Sequence, residues 1–131
     1  MTVASEEVDL PAVLEELQAV FEQYEQALVA NDVQVLDRLF RNSPTTLRYG
    51  TGENLYGHAE IAAFRAGRDA RALSRRIRRR SLSTFGRDFG VANIEFVRDG
   101  ESRVGRQTQT WVRFAEGWRV VAAHVSWMEM P

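Results

Sequence analysis

Arg48 lies in a short apolar segment, residues 46–50 (TLRYG), whose pattern is typical of a strand followed by a glycine turn. A related segment, residues 53–57 (ENLYG), follows and leads into a helix. Burying a guanidinium is costly unless an anion or hydrogen-bond acceptors meet it. The sequence therefore leaves two alternatives: a protein carboxylate such as Glu53 or Glu95 pairs with Arg48, or a ligand anion does.

Two predicted helices carry further side chains that could take part in chemistry. Tyr24 lies in the apolar stripe of the first helix, so its phenol either bonds a backbone carbonyl in the core or faces a hollow as a proton donor. Arg65 and Arg68 share one helix face with core residues. Each of these arginines either reaches solvent at the helix end or binds a ligand.

The last two strands place polar groups next to apolar ones. Side chains alternate along a strand, so every second residue from Trp118 to Ser126 is predicted to share one face. We therefore expect His124 and Ser126 to form the polar end of a pocket on that face, although a core histidine bonded within the protein is the structural alternative. Gln109, on the preceding strand, is predicted to alternate in the same way.

Several classes of chemistry have no support in this sequence. There is no cysteine, and all 17 basic residues are arginine, so thiolate and Schiff-base chemistry are excluded. The two histidines, His58 and His124, have no clustered acidic residues beside them, so no metal site is predicted. Neither a Gly-x-Ser-x-Gly motif nor a glycine-rich phosphate loop is present. The sequence predicts chemistry based on arginine electrostatics and weak acids, without a cofactor.

Length and charge limit the class of protein. The chain has 131 residues and a net charge of −1, which favours one domain and disfavours a general nucleic-acid binder. We expect residues 1–10 to be a flexible, acidic N-terminus and residues 11–131 to form the single domain. No signal-peptide pattern or membrane-spanning run is evident, so we expect a cytoplasmic protein that does not interact with membranes.

Periodicity predicts the elements that position these groups. Helical spacing of apolar residues predicts helices at 11–30, 33–40 and 58–68. Strands are predicted at 46–49, 75–85, 89–97, 103–114 and 118–127, the last four as an antiparallel meander. This order favours an α+β fold in which three N-terminal helices pack on a curved, mostly antiparallel sheet. Such a cone leaves a hollow between helices and sheet where pockets commonly form.

The assembled motifs resemble those of the AtzH-like family, within the SnoaL-like superfamily of cystatin-like α+β cones. The resemblance covers nearly the whole chain from about Val13 onward. It rests on residues 21–28 (FEQYEQAL), 47–50 (LRYG), 53–57 (ENLYG), 64–65 with Arg68, 84–86, 105–113 (GRQTQTWVR), 117–119 and 122–126 (AAHVS).

The resemblance implies a decarboxylating amidohydrolase-type reaction that converts 1,3-dicarboxyurea to allophanate in bacterial nitrogen-compound catabolism, as in the cyanuric acid pathway. It also implies that Tyr24 and Arg48 are catalytic and that the protein works with an amidase-signature hydrolase. We hypothesise that Arg48 holds a substrate carboxylate and Tyr24 supplies a proton. The remaining substrate oxygens would be bound by Arg65, Gln109, His124 and Ser126.

Other functions on the same fold stay open. One is an isomerase, cyclase or dehydratase that acts on an apolar ring, with His124 as its base. Another is a non-catalytic, small-anion-binding partner of an amidase. The outer sheet face of this fold commonly mediates dimerisation, so a homodimer is expected, with Trp127 and residues 76–80 as candidates for that face.

Overall fold

The computed structural model describes residues 2–69 and 73–131 and shows three helices packed on one face of a six-stranded sheet. The helices are α1 (Pro11–Val29), α2 (Val33–Leu39) and α3 (His58–Ala66). The strands are β1 (Leu47–Tyr49), β2 (Asn54–Tyr56), β3 (Arg76–Phe85), β4 (Phe89–Val97), β5 (Val104–Phe114) and β6 (Gly117–Met128). The α+β architecture predicted from periodicity is confirmed.

Helix α1 follows from its sequence pattern. Pro11 occupies the first turn of the helix. Backbone N–H groups in that turn have no acceptor within the helix, so the N–H that proline lacks costs no hydrogen bond. Apolar residues then recur at spacings of three and four and form a buried stripe comprising Val13, Leu17, Phe21, Tyr24 and Leu28. Asn31 turns the chain at a φ of 50°. Asp32 then caps α2 by accepting a hydrogen bond from the backbone N–H of Val35 at 3.3 Å.

The core lies between the helices and the concave face of the sheet. Its fully buried aromatic side chains come from both layers: Phe21 and Phe40 from the helical side, and Phe96 and Trp111 from the sheet. Trp111 is bonded within this core, because its indole N–H donates to Gln109 Oε1 at 3.1 Å. Large side chains from both layers therefore hold the helices on the sheet.

The sheet order is β2-β1-β6-β5-β4-β3, and all neighbouring strands are antiparallel except β1 and β6. The parallel pairing aligns Arg48 with Ala123 and Tyr49 with His124. Strand β2 was not predicted, because its three residues are too few for a period-two pattern to be recognised. Together β1 and β2 bring Arg48 and Glu53 to one end of the meander.

Strand β6 contains a bulge that overturns one prediction. Thr110 pairs with Ala122 and Trp111 with Val120, so Val121 has no opposite residue. An extra residue reverses the alternation beyond it. Val120 is therefore buried together with Ala123 and Val125, whereas His124 is exposed. The prediction that every second residue from Trp118 to Ser126 shares one face is wrong for this reason.

The N-terminal segment lies against the far edge of the sheet. Residues Ser5–Glu7 form one 3-10 turn, and Val8 makes an isolated bridge to Phe85. The Asp9 carboxylate accepts hydrogen bonds from the Ser83 hydroxyl at 2.7 Å and from the Thr84 backbone N–H at 2.8 Å. The expected flexibility of residues 1–10 stays a prediction. None of the helices in the described part of the chain combines the length and apolar character that crossing a bilayer requires.

Gly105 provides a test of how tightly the core is packed. It lies directly opposite Phe96, and a Cβ atom added there would lie 2.2 Å from the Phe96 ring. Because that ring is fully buried, it cannot move aside freely. We expect Gly105→Ala to lower the free energy of unfolding by about 1–3 kcal/mol in a urea titration.

Gly67→Ala is the matched control, because an added Cβ there would meet only Phe64 O at 4.0 Å. Its stability should stay within about 0.5 kcal/mol of the wild type or rise slightly. Equal stability of the two variants would show that Phe96 is not confined as described.

Candidate functional site

A small cavity opens where β1, α3 and the ends of β4 and β6 meet. Its volume is about 170 Å³, which is large enough to hold water or a small molecule. Its polar lining consists of Arg48, Thr51, Glu53, Arg68 and Arg98. Its apolar lining consists of Phe64, Leu73, Phe96, Val125 and Trp127. The cavity is therefore suited to a small anion with limited apolar contact.

Trp127 belongs to this inner surface. Its ring lies 5.5 Å from the ring of Phe96, and both line the cavity. The placement of Trp127 on the outer sheet face is therefore wrong, for the same reason as before: the bulge at Val121 reverses the alternation of β6.

Arg48 has a protein partner inside the cavity. Its Nη1 lies 2.9 Å from Glu53 Oε1, and the two side chains are 14% and 25% exposed. Gly50 makes this contact possible, because a Cβ atom at that position would lie 1.9 Å from Glu53 Oε1. The bond uses one of the five guanidinium N–H groups of Arg48. Arg48 thus has Glu53 as its resident partner and retains donors for a second acceptor.

Arg68 and Arg98 bring guanidinium groups whose hydrogen-bonding capacity is not met. Arg68 Nε and Nη2 and Arg98 Nε are shielded from solvent and have no hydrogen-bond partner within residues 2–69 and 73–131. A buried donor left unsatisfied costs about 1–3 kcal/mol, more when it is charged. Such donors beside a cavity indicate a site for an anion or for acceptors of a ligand.

The cavity's arginines also weaken one another's protonation. Burial, together with the nearby positive charges of Arg48, Arg65 and Arg98, lowers the pKa of Arg68 to about 10, although Tyr24 opposes the shift. The pKa of Arg98 is lowered by burial and by the charges of Arg75 and Arg48, while Glu101 and Tyr24 oppose the shift. Below a pH of about 10 Arg68 remains a cation, so the like charges repel until an anion enters.

Tyr24 is part of the core and, like Gln109, is not among the residues that line this cavity. Its side chain is 5% exposed, and its ring centroid lies 6.3 Å from that of Phe21 and 6.4 Å from that of Phe40. The phenol is close enough to Arg68 and Arg98 to raise the pKa of both. The structure therefore places Tyr24 within electrostatic range of two cavity arginines.

Arg65 lies apart from the cavity lining, with protein partners of its own. It is 3% exposed, its Nη1 lies 3.0 Å from Asp37 Oδ1, and its guanidinium lies 4.2 Å from the centroid of the Phe40 ring. Burial lowers the pKa of Arg65, whereas Tyr24 and Asp37 raise it. These contacts describe a structural ion pair that holds α3 against α2.

Gln109 is fully buried in the sheet below the helices. Its Oε1 accepts the Trp111 indole N–H, while its Nε2 has no hydrogen-bond partner among the described residues. Gln107 Nε2 on the same strand face is in the same situation. Gln109 lies outside the lining of the arginine cavity, so the structure does not bring it together with Arg48.

His124 and Ser126 face the opposite side of the sheet. They line a separate surface cleft with Arg106 and Thr108, and the His124 ring lies 5.5 Å from the ring of Tyr49. The expectation that they form the polar end of the pocket containing Arg48 is therefore contradicted. The cause is again the unpaired Val121, which no periodicity in the sequence indicates.

Solved structures show the class of this protein. A protein of unknown function from the DUF3225 family of Pectobacterium atrosepticum is 50% identical, with 97% of this chain and 99% of that chain covered and a TM-score of 0.95. A cystatin-like fold protein from Burkholderia xenovorans is 42% identical over 95% and 98% of the two chains, with a TM-score of 0.92. An NTF2-like protein from Salmonella enterica, 20% identical over 91% and 93% with a TM-score of 0.73, shares the fold alone. The chain thus has the NTF2-like, cystatin-like fold.

The family follows from a match over almost the whole chain. The AtzH-like family model matches residues 6–131, so the protein belongs to the AtzH-like family. The resemblance inferred from the motifs is therefore confirmed. None of the curated proteins matches the chain.

Arg98 is the cavity residue that sequence reasoning did not identify. It follows the last residue of β4 and precedes the hairpin turn at Asp99-Gly100, where an arginine is ordinarily solvated. The structure instead places its guanidinium 5.4 Å from the Phe96 ring and 5.6 Å from the Trp127 ring. This turn borders the same cavity as Arg48 because β6 pairs with β1 in the folded sheet, and the sequence around Arg98 does not indicate that pairing.

Replacing Arg68 by an apolar residue of similar length tests whether its burial is unfavourable. We expect Arg68→Met to raise the free energy of unfolding by about 1–2 kcal/mol without ligand, because it removes an unsatisfied charge. The lowered pKa means that the folded state disfavours the charged form, so this penalty is present at neutral pH. It should fade only as the pH rises past about 10. Urea titrations at several pH values measure it.

Arg75→Met is the matched control, because Arg75 is a buried arginine with partners. It is 2% exposed, forms an ion pair with Glu25 and donates to Gln107 Oε1 at 3.2 Å. Its loss leaves the Glu25 charge buried and should destabilise the protein by about 3–5 kcal/mol. If Arg68→Met destabilised the protein to a similar extent, Arg68 would be a structural residue.

Proposed function

We propose that this protein is a cofactor-independent enzyme that removes carbon dioxide from a small dicarboxylated urea, converting 1,3-dicarboxyurea to allophanate. The observation that carries the proposal is a cavity whose described lining holds three guanidinium groups and one carboxylate, with buried N–H donors that have no partner among the described residues. Guanidinium groups suit planar carboxylates, which they bind with charge-assisted hydrogen bonds. Membership of the AtzH-like family supports the proposal, because the resemblance to that family is what implied this reaction class.

The reaction breaks one bond and adds one proton. The bond between a terminal carboxylate carbon and nitrogen breaks, carbon dioxide leaves, and the electron pair stays on nitrogen. Nitrogen then takes a proton, so the dianion and one proton give the allophanate monoanion and carbon dioxide. In our proposal Arg48 orients a carboxylate, and the Tyr24 phenol donates the proton and is reprotonated from solvent.

The cavity's dimensions and charges support a small polar substrate over an apolar ring. Its volume of about 170 Å³ lies below the range of about 300–1,000 Å³ typical of pockets for drug-sized ligands. His124, which an isomerase or dehydratase would use as its base, is exposed on the other sheet face. We also propose that the product passes to an amidase-type hydrolase, because allophanate retains amide bonds that decarboxylation does not cleave.

Turnover of freshly generated 1,3-dicarboxyurea tests the reaction directly. We expect the protein to accelerate the release of carbon dioxide and allophanate above the uncatalysed rate measured in the same buffer. Equal rates with and without the protein, alongside retained anion binding, would leave the non-catalytic partner of an amidase as the better explanation.

Two substitutions test the catalytic assignments. Tyr24→Phe removes the proposed proton donor, and we expect kcat to fall about 10²–10⁴-fold. Arg48→Gln removes a charge-assisted bond to a carboxylate, and we expect kcat/KM to fall about 10–100-fold. Steady-state kinetics on folded variants give both values.

The controls are matched substitutions away from the cavity. Tyr49→Phe removes a hydroxyl that lies 3.4 Å from the Tyr56 hydroxyl at the sheet surface. Arg113→Gln removes an arginine that pairs with Asp88 at 2.9 Å. Both controls should keep wild-type kinetics, and wild-type turnover by Tyr24→Phe or Arg48→Gln would refute the corresponding assignment.

A further inference from the structure

Arg98 is held beside the cavity by contacts that leave its polar edge unused. The central carbon of its guanidinium lies over the rings of Phe96 and Trp127, 5.4 and 5.6 Å from their centroids. Such cation–π contacts are electrostatic and do not supply a hydrogen-bond acceptor for its N–H donors. Its Nε is buried and has no hydrogen-bond partner in the described part of the chain. Arg98 is therefore fixed in place with at least one donor available.

Arg68 lines the same cavity as Arg98 but comes from a separate part of the fold. Arg68 follows the end of α3 and Arg98 follows β4, yet both line the same cavity. Two guanidinium groups brought together with buried, unsatisfied donors form an arrangement that becomes favourable when an anion lies between them. Packing alone gives no reason for this arrangement, because apolar side chains would fill the same space at lower cost.

The charges that line the cavity do not balance. Arg48, Arg68 and Arg98 bring three guanidinium groups, and Glu53 is the one acidic residue among the described residues of the lining. Glu53 is bonded to Arg48, so no other carboxylate of the described lining is available to Arg68 and Arg98. The apolar walls strengthen each charge interaction, since water is partly excluded. Two negative charges on a ligand would neutralise the cavity.

We propose that Arg68 and Arg98 together form a second carboxylate-binding subsite, so that the cavity selects dianions over monoanions of the same shape. Arg48, whose positive charge is partly offset by Glu53, binds the other carboxylate. The proposal rests on the proposed function for the class of ligand, a small dicarboxylate. One consequence is that a product with a single carboxylate binds more weakly than its substrate and is released.

Two stable, nearly isosteric probes test this selection without any reaction. Glutarate carries two carboxylates separated by three atoms, as in dicarboxyurea, whereas glutaramate replaces one carboxylate with a neutral amide. Calorimetric titration of the full-length protein should show glutarate binding about 10–100-fold more tightly. Arg98→Gln and Arg68→Gln should each reduce that ratio towards one, because the second charge loses its partner. A wild-type ratio near one, or an unchanged ratio in Arg98→Gln, would overturn the proposal.

Glu53→Gln should change the affinity for glutarate in the opposite direction to the arginine substitutions. It removes the resident anion that competes for Arg48, so glutarate should bind more tightly than to the wild type. Weaker binding would contradict the charge balance described. Arg113→Gln again serves as the control, and it should leave both affinities unchanged. Thermal unfolding of every variant without ligand shows whether a lost affinity reflects lost folding.

The outcomes separate this inference from the proposed reaction. If dicarboxyurea is not turned over but the glutarate preference depends on Arg98, the subsite stands and the proposed reaction falls. If turnover depends on Tyr24 and Arg48 while Arg98→Gln keeps the wild-type KM and the wild-type glutarate preference, the reaction stands and the subsite falls.

Discussion

Repulsion between partly buried guanidinium groups is the constraint around which this protein is organised. Arg48, Arg68 and Arg98 line one small cavity, and Arg65 lies close enough to influence Arg68. A chain selected only for stability would separate or neutralise these charges. Here Asp37 pairs with Arg65 and Glu53 with Arg48, but Arg68 and Arg98 keep donors that no described residue satisfies. The fold therefore maintains an unfavourable arrangement that an anion would relieve.

The same electrostatics both assist and oppose the proposed chemistry. Strong ion pairs bring a dianion into a partly apolar cavity, where water would otherwise compete for it. A departing carboxylate, however, must give up its negative charge, and a cation held against it resists that change. Glu53 beside Arg48 moderates the attraction at one end of the cavity. Binding and bond cleavage would thus be balanced by an acidic residue that needs no contact with the substrate.

Much of the fold could be predicted because its long elements have regular periods. The buried stripe of α1 and the exact bounds of β4, Phe89–Val97, follow from spacing alone. Local patterns carry this information, so one sequence suffices.

The site itself depended on features that leave no local signal. The bulge at Val121 arises from the way β5 and β6 pair, and it moved His124 and Ser126 to the other face of the sheet. Arg65 was expected at a ligand, but its partner Asp37 lies 28 residues away in the sequence. Arg98 could be recognised as a cavity residue only in the folded structure, where strands that are distant in the sequence lie together. Long-range pairing, more than residue type, determines which arginines meet.

Gly50 shows that the electrostatics of this cavity also depend on shape. Its missing side chain leaves the space in which the Glu53 carboxylate reaches Arg48, since any Cβ atom there would overlap Glu53 Oε1. A single methyl group at position 50 would therefore displace an anion and alter the field at the ligand, although no charged residue had changed. In this family, variation at an uncharged turn position could tune ligand preference as effectively as the exchange of an arginine.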